Sequence, residues 1–269
     1  MKEIKISIRN MNKIYLDKIK SDFNKNGYYI LKNFYNAKKC NDFLKLISKY
    51  ATINYPPIMN PDRSDFLISQ SIEKLSKLNS LYEKTLFLKK LEKDAKDIKK
   101  FMFDKKIFKV LNFIKGKKVD PLMSQMIFKK ASSKFSKQSW QPHQDNSYPK
   151  NKNGHYITTN VFLNKSTKKN GTLYVWESSH KYGIFNFGFK KSYREKDNKP
   201  GNIVKTKKKF NVKILNFNKG DLLILHGNCV HGSYPNNSKT SRPLYSVSYL
   251  PIGEKFISGK NAQRKRLKL

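Results

Sequence analysis

All five histidines lie between residues 143 and 231, so the side chains best suited to metal binding are concentrated in one stretch. His143 and Asp145 are separated by one residue. Because alternate residues of a β-strand face the same side, this spacing would point an imidazole and a carboxylate in one direction. A His-x-Asp pair alone is a weak signal, since a surface histidine near a loop carboxylate gives the same pattern. The pair becomes informative only with a third ligand.

Two further histidines, His226 and His231, follow the apolar run that begins at Gly220-Asp221. Two imidazoles and one carboxylate on one face of an octahedral metal leave three positions open, which is the geometry of non-haem Fe(II) oxygenases. A set that includes two imidazole nitrogens suits Fe(II) better than calcium or magnesium, which prefer ligand sets made of oxygen atoms. Arg242 would supply a guanidinium fork for a carboxylate beside such a metal. The spacing leaves both His226 and His231 open as the third ligand.

The first 118 residues are predicted to be mainly helical, because apolar residues recur at helical spacing. A strand over 28–34 and a proline-containing loop over 53–65 interrupt this pattern. The predicted helices cover 13–26, 37–50 and, with a break near Asp104 and an end at Gly116, 66–114.

Short strands are predicted after residue 120, separated by turn signals such as Asn170-Gly171. They predict a β-sandwich or barrel-like core with the N-terminal helices packed on one face. A long polar segment, 184–210, is expected to be a lid or to be disordered, and 259–269 a basic tail. The predicted strands are 123–129, 156–163, 172–176, 212–217, 221–225 and 244–250.

The chain is strongly basic, with 57 Lys and Arg against 19 Asp and Glu and a formal net charge of +38. Such a balance can indicate a nucleic-acid partner. Only six of the basic residues are arginine, however, whereas nucleic-acid readers rely on arginine to contact guanine edges and phosphates. The favoured interpretation is a solvated lysine-rich surface set by codon bias; an anionic substrate comes second and nucleic acid third.

The two cysteines, Cys40 and Cys229, form no metal-binding or redox spacing, so reduced thiols and a cytoplasmic location are expected. The charged N-terminus and the lack of an apolar run of about 18 residues predict neither a signal peptide nor a membrane span. Aromatic residues make up 13% of the chain, which favours a folded protein over a disordered one.

Several short motifs together resemble the phytanoyl-CoA dioxygenase family. The segment Phe23-Asn-Lys-Asn-Gly-Tyr-Tyr-Ile-Leu31 is similar to that family's N-terminal opening, and the resemblance covers about residues 20–250. The other matching motifs, in chain order, are His143-Gln-Asp145, Asn170-Gly-Thr-Leu173, Ser179-His-Lys181, Gly220-Asp221, His231-Gly-Ser233, Asn236 and Arg242.

The resemblance implies a mainly β protein with N-terminal helices and a double-stranded β-helix (jelly-roll, cupin-like) core. It implies an Fe(II)-dependent dioxygenase that uses 2-oxoglutarate and O2 to hydroxylate or otherwise oxidise a small organic substrate, with release of succinate and CO2. We expect one domain over 1–258, with a helical region over 1–118, a jelly-roll core over 119–258, and 184–210 as a lid inserted in that core.

The resemblance assigns the iron to His143, Asp145 and His231. Only His231 is followed by Gly-Ser and then, after eleven residues, by Arg242, so His226 is expected to be a packed neighbour of the site. Related halogenases replace the carboxylate by a small residue. The retained Asp145 therefore favours hydroxylation or a similar oxidation.

The resemblance also implies a pocket for the cosubstrate. Arg242 matches the residue that pairs with the distal carboxylate of 2-oxoglutarate, and Ser233 matches a position that often supports it. Met126 and Asn160 match positions that line the same pocket.

One turn departs from the family pattern. Residues 176–180 read Trp-Glu-Ser-Ser-His where a Pro-Gly-Ser-His-like turn is usual, which puts the local geometry in question without touching a ligand. His180, at its end, is expected to be structural. His155 is expected to be a loop residue that could contact substrate.

The alternative function is of another class: a catalytically inactive jelly-roll that binds nucleic acid or another polyanion through its lysine-rich surface. It predicts tight binding to any polyanion, weakening steeply with salt. The complete set of candidate ligands together with Arg242 favours the enzyme.

Overall fold

A computed structural model describes residues 12–52, 55–191, 200–256 and 266–267. Within these ranges the α-helices all lie in the first 115 residues, so the N-terminal helical region expected from the sequence is confirmed. They are α1 (Lys13–Asn26), α2 (Ala37–Ser48), α3 (Ser64–Ser69), α4 (Ile72–Ser76), α5 (Leu81–Met102) and α6 (Lys105–Lys115).

Capping residues set the boundaries of the longer helices. Asn12, Asn36 and Asp104 accept hydrogen bonds from backbone N–H groups in the first turns of α1, α2 and α6. Asp104 therefore marks the predicted break, which is the junction between α5 and α6. Gly27 and Gly116 follow α1 and α6 in the left-handed conformation, which glycine adopts without a steric penalty.

The strands form two main sheets and a separate hairpin. In chain order they are β1 (Tyr28–Leu31), β2 (Ile58–Met59), β3 (Val119–Ile127), β4 (Trp140–His143), β5 (Ile157–Phe162), β6 (Leu173–Trp176), β7 (Phe187–Lys191), β8 (Pro200–Val204), β9 (Val212–Ile214), β10 (Leu222–His226), β11 (His231–Ser233) and β12 (Leu244–Pro251). The larger sheet has the order β1-β10-β5-β12-β3-β2, and the smaller has the order β4-β11-β6-β9. The paired strands in both sheets are antiparallel.

The larger sheet separates two hydrophobic cores. One face of its strands packs against the helices; Tyr245 of β12, for example, lies with its ring centroid 4.8 Å from that of Phe43 of α2. The opposite face, which includes Phe162 and Leu223, packs against Leu173 and Val175 of the smaller sheet. Two antiparallel sheets enclosing an interior core form the jelly-roll that was expected.

The structure differs from the sequence prediction in several segments. The helical region predicted over 66–114 is divided into four helices, α3 to α6, and β4 and β11 lie outside the predicted strands. The expected loop 53–65 contains the short strand β2, which pairs with β3, and the first residues of α3. The segment 184–210 contains β7 and β8, which pair as an antiparallel hairpin. The strand expected over 212–217 ends at Ile214, because the chain then bonds to Leu173 and Ser166 through isolated backbone contacts.

Most of the basic tail 259–269 lies outside the described residues, but Arg266 and Leu267 are placed. The Arg266 guanidinium donates hydrogen bonds to the Asp120 carboxylate and to backbone carbonyls, including that of Pro251. The backbone N–H of Leu267 donates to the carbonyl of Pro121. In the ranges that the structure describes, no helix is long and apolar enough to cross a membrane.

We expect Gly220→Ala to destabilise the fold far more than Gly116→Ala. Both glycines have left-handed backbones, with φ of +87° and +64°, so both substitutions introduce strain. A Cβ on Gly220 would overlap the carbonyl oxygen of Tyr35, whereas nothing lies within 4 Å of one on Gly116. Thermal unfolding should show a loss of about 1 kcal/mol for Gly116→Ala and above about 3 kcal/mol for Gly220→Ala. Equal losses would contradict the close approach of Gly220 to Tyr35.

Candidate metal centre

The two strands that carry the histidines are neighbours in the smaller sheet. His231, the first residue of β11, is paired directly with His143, the last residue of β4. Their ring centroids are 4.4 Å apart. Asp145 follows β4 by two residues, at the start of a 3-10 turn, and its Oδ1 lies 3.7 Å from His143 Nε2 and 3.6 Å from His231 Nε2. The three side chains predicted as ligands therefore converge on one point.

Each imidazole is oriented by its other ring nitrogen. His143 Nδ1 lies 2.7 Å from the carbonyl oxygen of Gln141, and His231 Nδ1 lies 3.0 Å from that of Cys229. A carbonyl can only accept, so each Nδ1 carries the proton and each Nε2 presents a lone pair. This arrangement is the one that metal-binding histidines require.

The electrostatics of the site favour a neutral imidazole. Burial and the neighbouring His231 lower the pKa of His143 to about 4, so this ring does not compete for a proton at neutral pH. Asp145 accepts a hydrogen bond on Oδ2 from the Thr158 hydroxyl at 3.1 Å, which leaves Oδ1 facing the histidines.

The donor set fits a divalent metal ion. The ligand atoms of the three residues all lie within 4.8 Å of one another. A metal bonded at about 2.1 Å would draw neighbouring donor atoms to about 3 Å, a contraction of a few tenths of an ångström for each side chain. Two imidazoles and one carboxylate are the ligands of an Fe(II) site with open positions.

Gln144, between two of the ligands, fixes the local backbone. Its side-chain Nε2 donates to the carbonyls of Gly183 and Asn228, both at 2.7 Å, and its Oε1 accepts from the N–H of Phe185 at 2.8 Å. The amide therefore joins the ligand turn to the start of segment 184–210 and to the loop before β11.

A cavity of about 90 Å³ lies beside the three ligands. Its walls come from the inner faces of both sheets and combine polar and apolar side chains. Besides the ligands they include Gln125, Ile127, Trp140, Asn160, Leu173, Gly232, Ser233, Arg242, Leu244 and Ser246. The predicted pocket residues Asn160, Ser233 and Arg242 are thus brought together with the ligands.

Arg242 is 1% exposed, and its guanidinium is only partly bonded. Nε donates to the Gly171 carbonyl at 3.0 Å, whereas Nη1 is buried without a hydrogen-bond partner. Burial lowers the pKa of Arg242 to about 9, so the group remains charged at neutral pH. Among the described residues no carboxylate pairs with it. A buried, charged and incompletely bonded guanidinium in a cavity wall is suited to binding a carboxylate ligand.

The expectation for Met126 is corrected by the register of β3. Gln125 and Ile127 line the cavity, and because neighbouring residues of a strand face opposite sides, Met126 lies on the other face. It is fully buried in the core between the sheet and the helices.

The remaining histidines have structural partners. His226 packs against the rings of Phe23 and His180, and its Nδ1 accepts a hydrogen bond from the N–H of Asn228. His180 Nε2 lies 3.0 Å from the carbonyl oxygen of Asn24. His155 Nδ1 lies 2.9 Å from a carboxylate oxygen of Glu254, which accounts for this residue without a substrate contact.

The unusual turn at 176–180 is hydrogen-bonded to the residue before β11, the strand that carries His231. Ser178 adopts a left-handed backbone conformation, with φ of 62°. The Ser179 hydroxyl donates to the Trp176 carbonyl and accepts from the N–H of Val230, the residue before His231. The departure from the family sequence therefore leaves a well-bonded turn.

Two residues whose side chains hydrogen-bond to the side chains of predicted site residues were missed from the sequence. Thr158, which bonds to Asp145, is two residues before Asn160 on the same face of β5, so strand alternation could have indicated it. Lys129 donates to Ser233 and to the Gly171 carbonyl that Arg242 also contacts. No sequence signal separates this lysine from the many others.

Comparison with protein families gives one match over most of the chain. The sequence model of the phytanoyl-CoA dioxygenase family matches residues 23–244. No curated protein sequence matches significantly.

Several solved structures are similar to this fold. The epimerase SnoN in complex with Fe3+, alpha-ketoglutarate and nogalamycin RO has a TM-score of 0.66 at 12% identity, over 96% of this chain and 94% of SnoN. EctD from S. alaskensis with 2-oxoglutarate and 5-hydroxyectoine has a TM-score of 0.63 at 12% identity, over 100% of this chain and 88% of EctD. The apo form of the non-heme monooxygenase ThoJ has a TM-score of 0.63 at 15% identity, over 93% of this chain and 84% of ThoJ. At these identities the similarity establishes the shared fold.

Removal of any one predicted ligand should abolish tight binding of one divalent metal ion. We expect His143→Ala, Asp145→Ala and His231→Ala each to weaken Co(II) or Fe(II) binding by at least about 100-fold, because loss of even an outer hydrogen-bond partner costs 10- to 100-fold. Anaerobic titration calorimetry measures the effect, with circular dichroism to verify folding. His155→Gln is the control and should bind normally. A folded ligand variant with unchanged affinity would remove that residue from the site.

Proposed function

The chain belongs to the phytanoyl-CoA dioxygenase family, and we propose that His143, Asp145 and His231 hold its catalytic iron. It is an Fe(II)- and 2-oxoglutarate-dependent dioxygenase that acts on a small molecule. One observation carries the residue assignment: a single cavity is lined both by the three convergent ligands and by a buried arginine with an unpartnered Nη1.

Each residue of the cavity has a distinct role in this proposal. The iron, when bound, couples decarboxylation of 2-oxoglutarate by O2 to oxidation of the substrate, which yields succinate and CO2. The Thr158 hydroxyl holds Asp145 with one oxygen towards the histidines. Arg242 and Ser233 bind the distal carboxylate of 2-oxoglutarate, and Asn160 lines the pocket beside them. The retained carboxylate of Asp145 favours hydroxylation or a similar oxidation of a C–H bond.

We propose that the described parts of segment 184–210, residues 184–191 and 200–210, cover the substrate side of the site; residues 192–199 lie outside the described ranges. Gln144, between the ligands, bonds to Gly183 and Phe185 at the start of this segment. The hairpin strand β8 lies beside the ligand strand β4. Loops placed in this way can close over a substrate and exclude water from the reaction. The loop 53–65 is a second cover, since β2 within it pairs with Gln125 and Met126 of the pocket strand.

The basic surface and the thiols support two finer proposals. A net charge of +38 raises the local concentration of anions, which favours an anionic small molecule as the substrate class. Nucleic acid is disfavoured because only six of the 57 basic residues are arginine. Cys40 and Cys229 are both free and buried, which is compatible with a reducing compartment such as the cytoplasm.

The first test is formation of the chelate between Fe(II) and 2-oxoglutarate. Anaerobic addition of both to the protein should produce a visible charge-transfer band, and aerobic incubation should convert 2-oxoglutarate to succinate slowly without substrate. Asp145→Ala and His143→Ala should lose both signals, whereas His155→Gln should keep them. Turnover unchanged in a ligand variant would refute the iron assignment. If the wild type gives neither signal but binds heparin with a steep salt dependence, the polyanion-binding alternative would replace the enzyme.

The second test concerns the distal carboxylate. Arg242→Ala should raise the apparent KM for 2-oxoglutarate by roughly 10- to 150-fold, because a hydrogen bond to a charged group contributes about 1.5–3 kcal/mol. Steady-state succinate formation over a range of 2-oxoglutarate concentrations measures this change. An unaltered KM would place the cosubstrate elsewhere.

A further inference from the structure

Lys129 is a buried lysine behind Ser233, a residue that lines the proposed cosubstrate pocket. It is 2% exposed, an unusual environment for an ammonium group. Its Nζ donates to the Ser233 hydroxyl at 2.9 Å, to the Gly171 carbonyl at 3.2 Å and to the Tyr234 carbonyl. Three acceptors around the nitrogen match the three donors of a protonated amine. Lys129 therefore has no donor left for a direct hydrogen bond to a ligand.

Ser233 is the neighbour that reaches the cavity. Its Oγ accepts from Lys129, so its own proton must point to a different acceptor. Among the described residues no protein acceptor receives this proton, and Ser233 lines the cavity. The lysine thus fixes the hydroxyl as a donor towards the pocket.

The Gly171 carbonyl links the lysine to the arginine. It accepts from Lys129 Nζ and from Arg242 Nε, and so holds both cations in place. Gly171 has a φ of +88°, and a Cβ there would lie 2.8 Å from the Tyr234 carbonyl oxygen and 3.0 Å from Lys129 Cδ. Only glycine allows the Asn170-Gly171 turn to deliver this carbonyl between the two side chains.

The positive charges of Lys129 and Arg242 are not neutralised by a nearby carboxylate among the described residues. Lys129 and Arg242 are both buried, and among the described residues no carboxylate forms an ion pair with either one. Lys129 Nζ also lies 5.2 Å from the ring centroid of Trp140, which lines the cavity. Burial and the charge of Arg242 lower the pKa of Lys129 well below its ordinary value, whereas the three acceptors around Nζ favour the protonated amine. An anion bound in the cavity would stabilise the positive charges of both Lys129 and Arg242.

We propose that Lys129 is a positioning residue that makes the pocket selective for a cosubstrate with a distal carboxylate. It orients the Ser233 hydroxyl, shares the Gly171 carbonyl with Arg242, and adds a second positive charge behind the first. This inference rests on the proposed function, in which Arg242 and Ser233 bind that carboxylate.

The test compares two ligands that differ only at the distal end. 2-Oxopentanoate has the same 2-oxo acid group and number of carbons as 2-oxoglutarate but ends in a methyl group. Binding of each to the anaerobic Fe(II)-loaded protein is followed by the charge-transfer band. Lys129→Met should weaken 2-oxoglutarate about tenfold and leave 2-oxopentanoate within about twofold, where tenfold corresponds to about 1.4 kcal/mol. Lys129→Gln, which can still donate to Ser233, should weaken 2-oxoglutarate less.

Three further measurements make the outcome decisive. Lys130→Met, which removes the next lysine and its contact with the Tyr55 ring, should not change either affinity. The effects of Lys129→Met and Ser233→Ala should not add, because one residue acts through the other. Circular dichroism identifies unfolded variants.

The results separate this inference from the proposed function. A wild-type protein without a chelate band would refute the proposed function. A normal wild-type band with equal losses for both ligands in Lys129→Met, or with no loss at all, would overturn the role of Lys129 alone. If neither Lys129 variant folds, the lysine serves stability and the proposal fails.

Discussion

The pairing of β4 with β11 is the interaction on which the site depends. It sets His231 opposite His143, and the turn after β4 then brings Asp145 within reach of both imidazoles. A shift of the pairing by one residue would turn one histidine to the other face of the sheet, because side chains alternate along a strand. β4 has four residues and β11 has three, so few backbone hydrogen bonds can form between the two strands. The contacts of Gln144 and Ser179 with the flanking loops hold these short strands in register.

The two sheets make separate contributions to the cavity. The smaller sheet supplies the histidines. The larger sheet supplies Asn160 from β5, Gln125 from β3, and Leu244 and Ser246 from β12. Beside the cavity an apolar cluster packs between the sheets, with Phe162 stacked on Phe217 at a centroid separation of 3.6 Å. The polar cavity is therefore set within a hydrophobic core, where hydrogen bonds and charges act with little screening by water.

The N-terminal helices and most of the later strands could be predicted from the sequence, because the apolar spacing and the capping residues agree with the helices and strands of the structure. The candidate ligands could be identified because all five histidines lie in one stretch and because the residues around His143, His231 and Arg242 resemble the family's motifs. Met126 was placed in the pocket by the family resemblance. The apolar pattern of β3 offered no check on this placement, because residues on both faces of the strand are at least partly buried. Lys129 gives no signal, since lysine dominates the composition and burial depends on the folded structure.

The carbonyls of Gln141 and Cys229 have a consequence for which substitutions preserve the ring orientation. They fix the tautomer and orientation of both imidazoles through the backbone. In many metal sites a side-chain carboxylate holds the outer nitrogen of a histidine, and its loss releases the ring. Here the acceptors belong to the main chain, so exchanging the side chain at position 141 or 229 keeps both acceptors wherever the backbone path is retained. Evolution is thus free to vary these two neighbours in a way that it cannot vary His143 and His231.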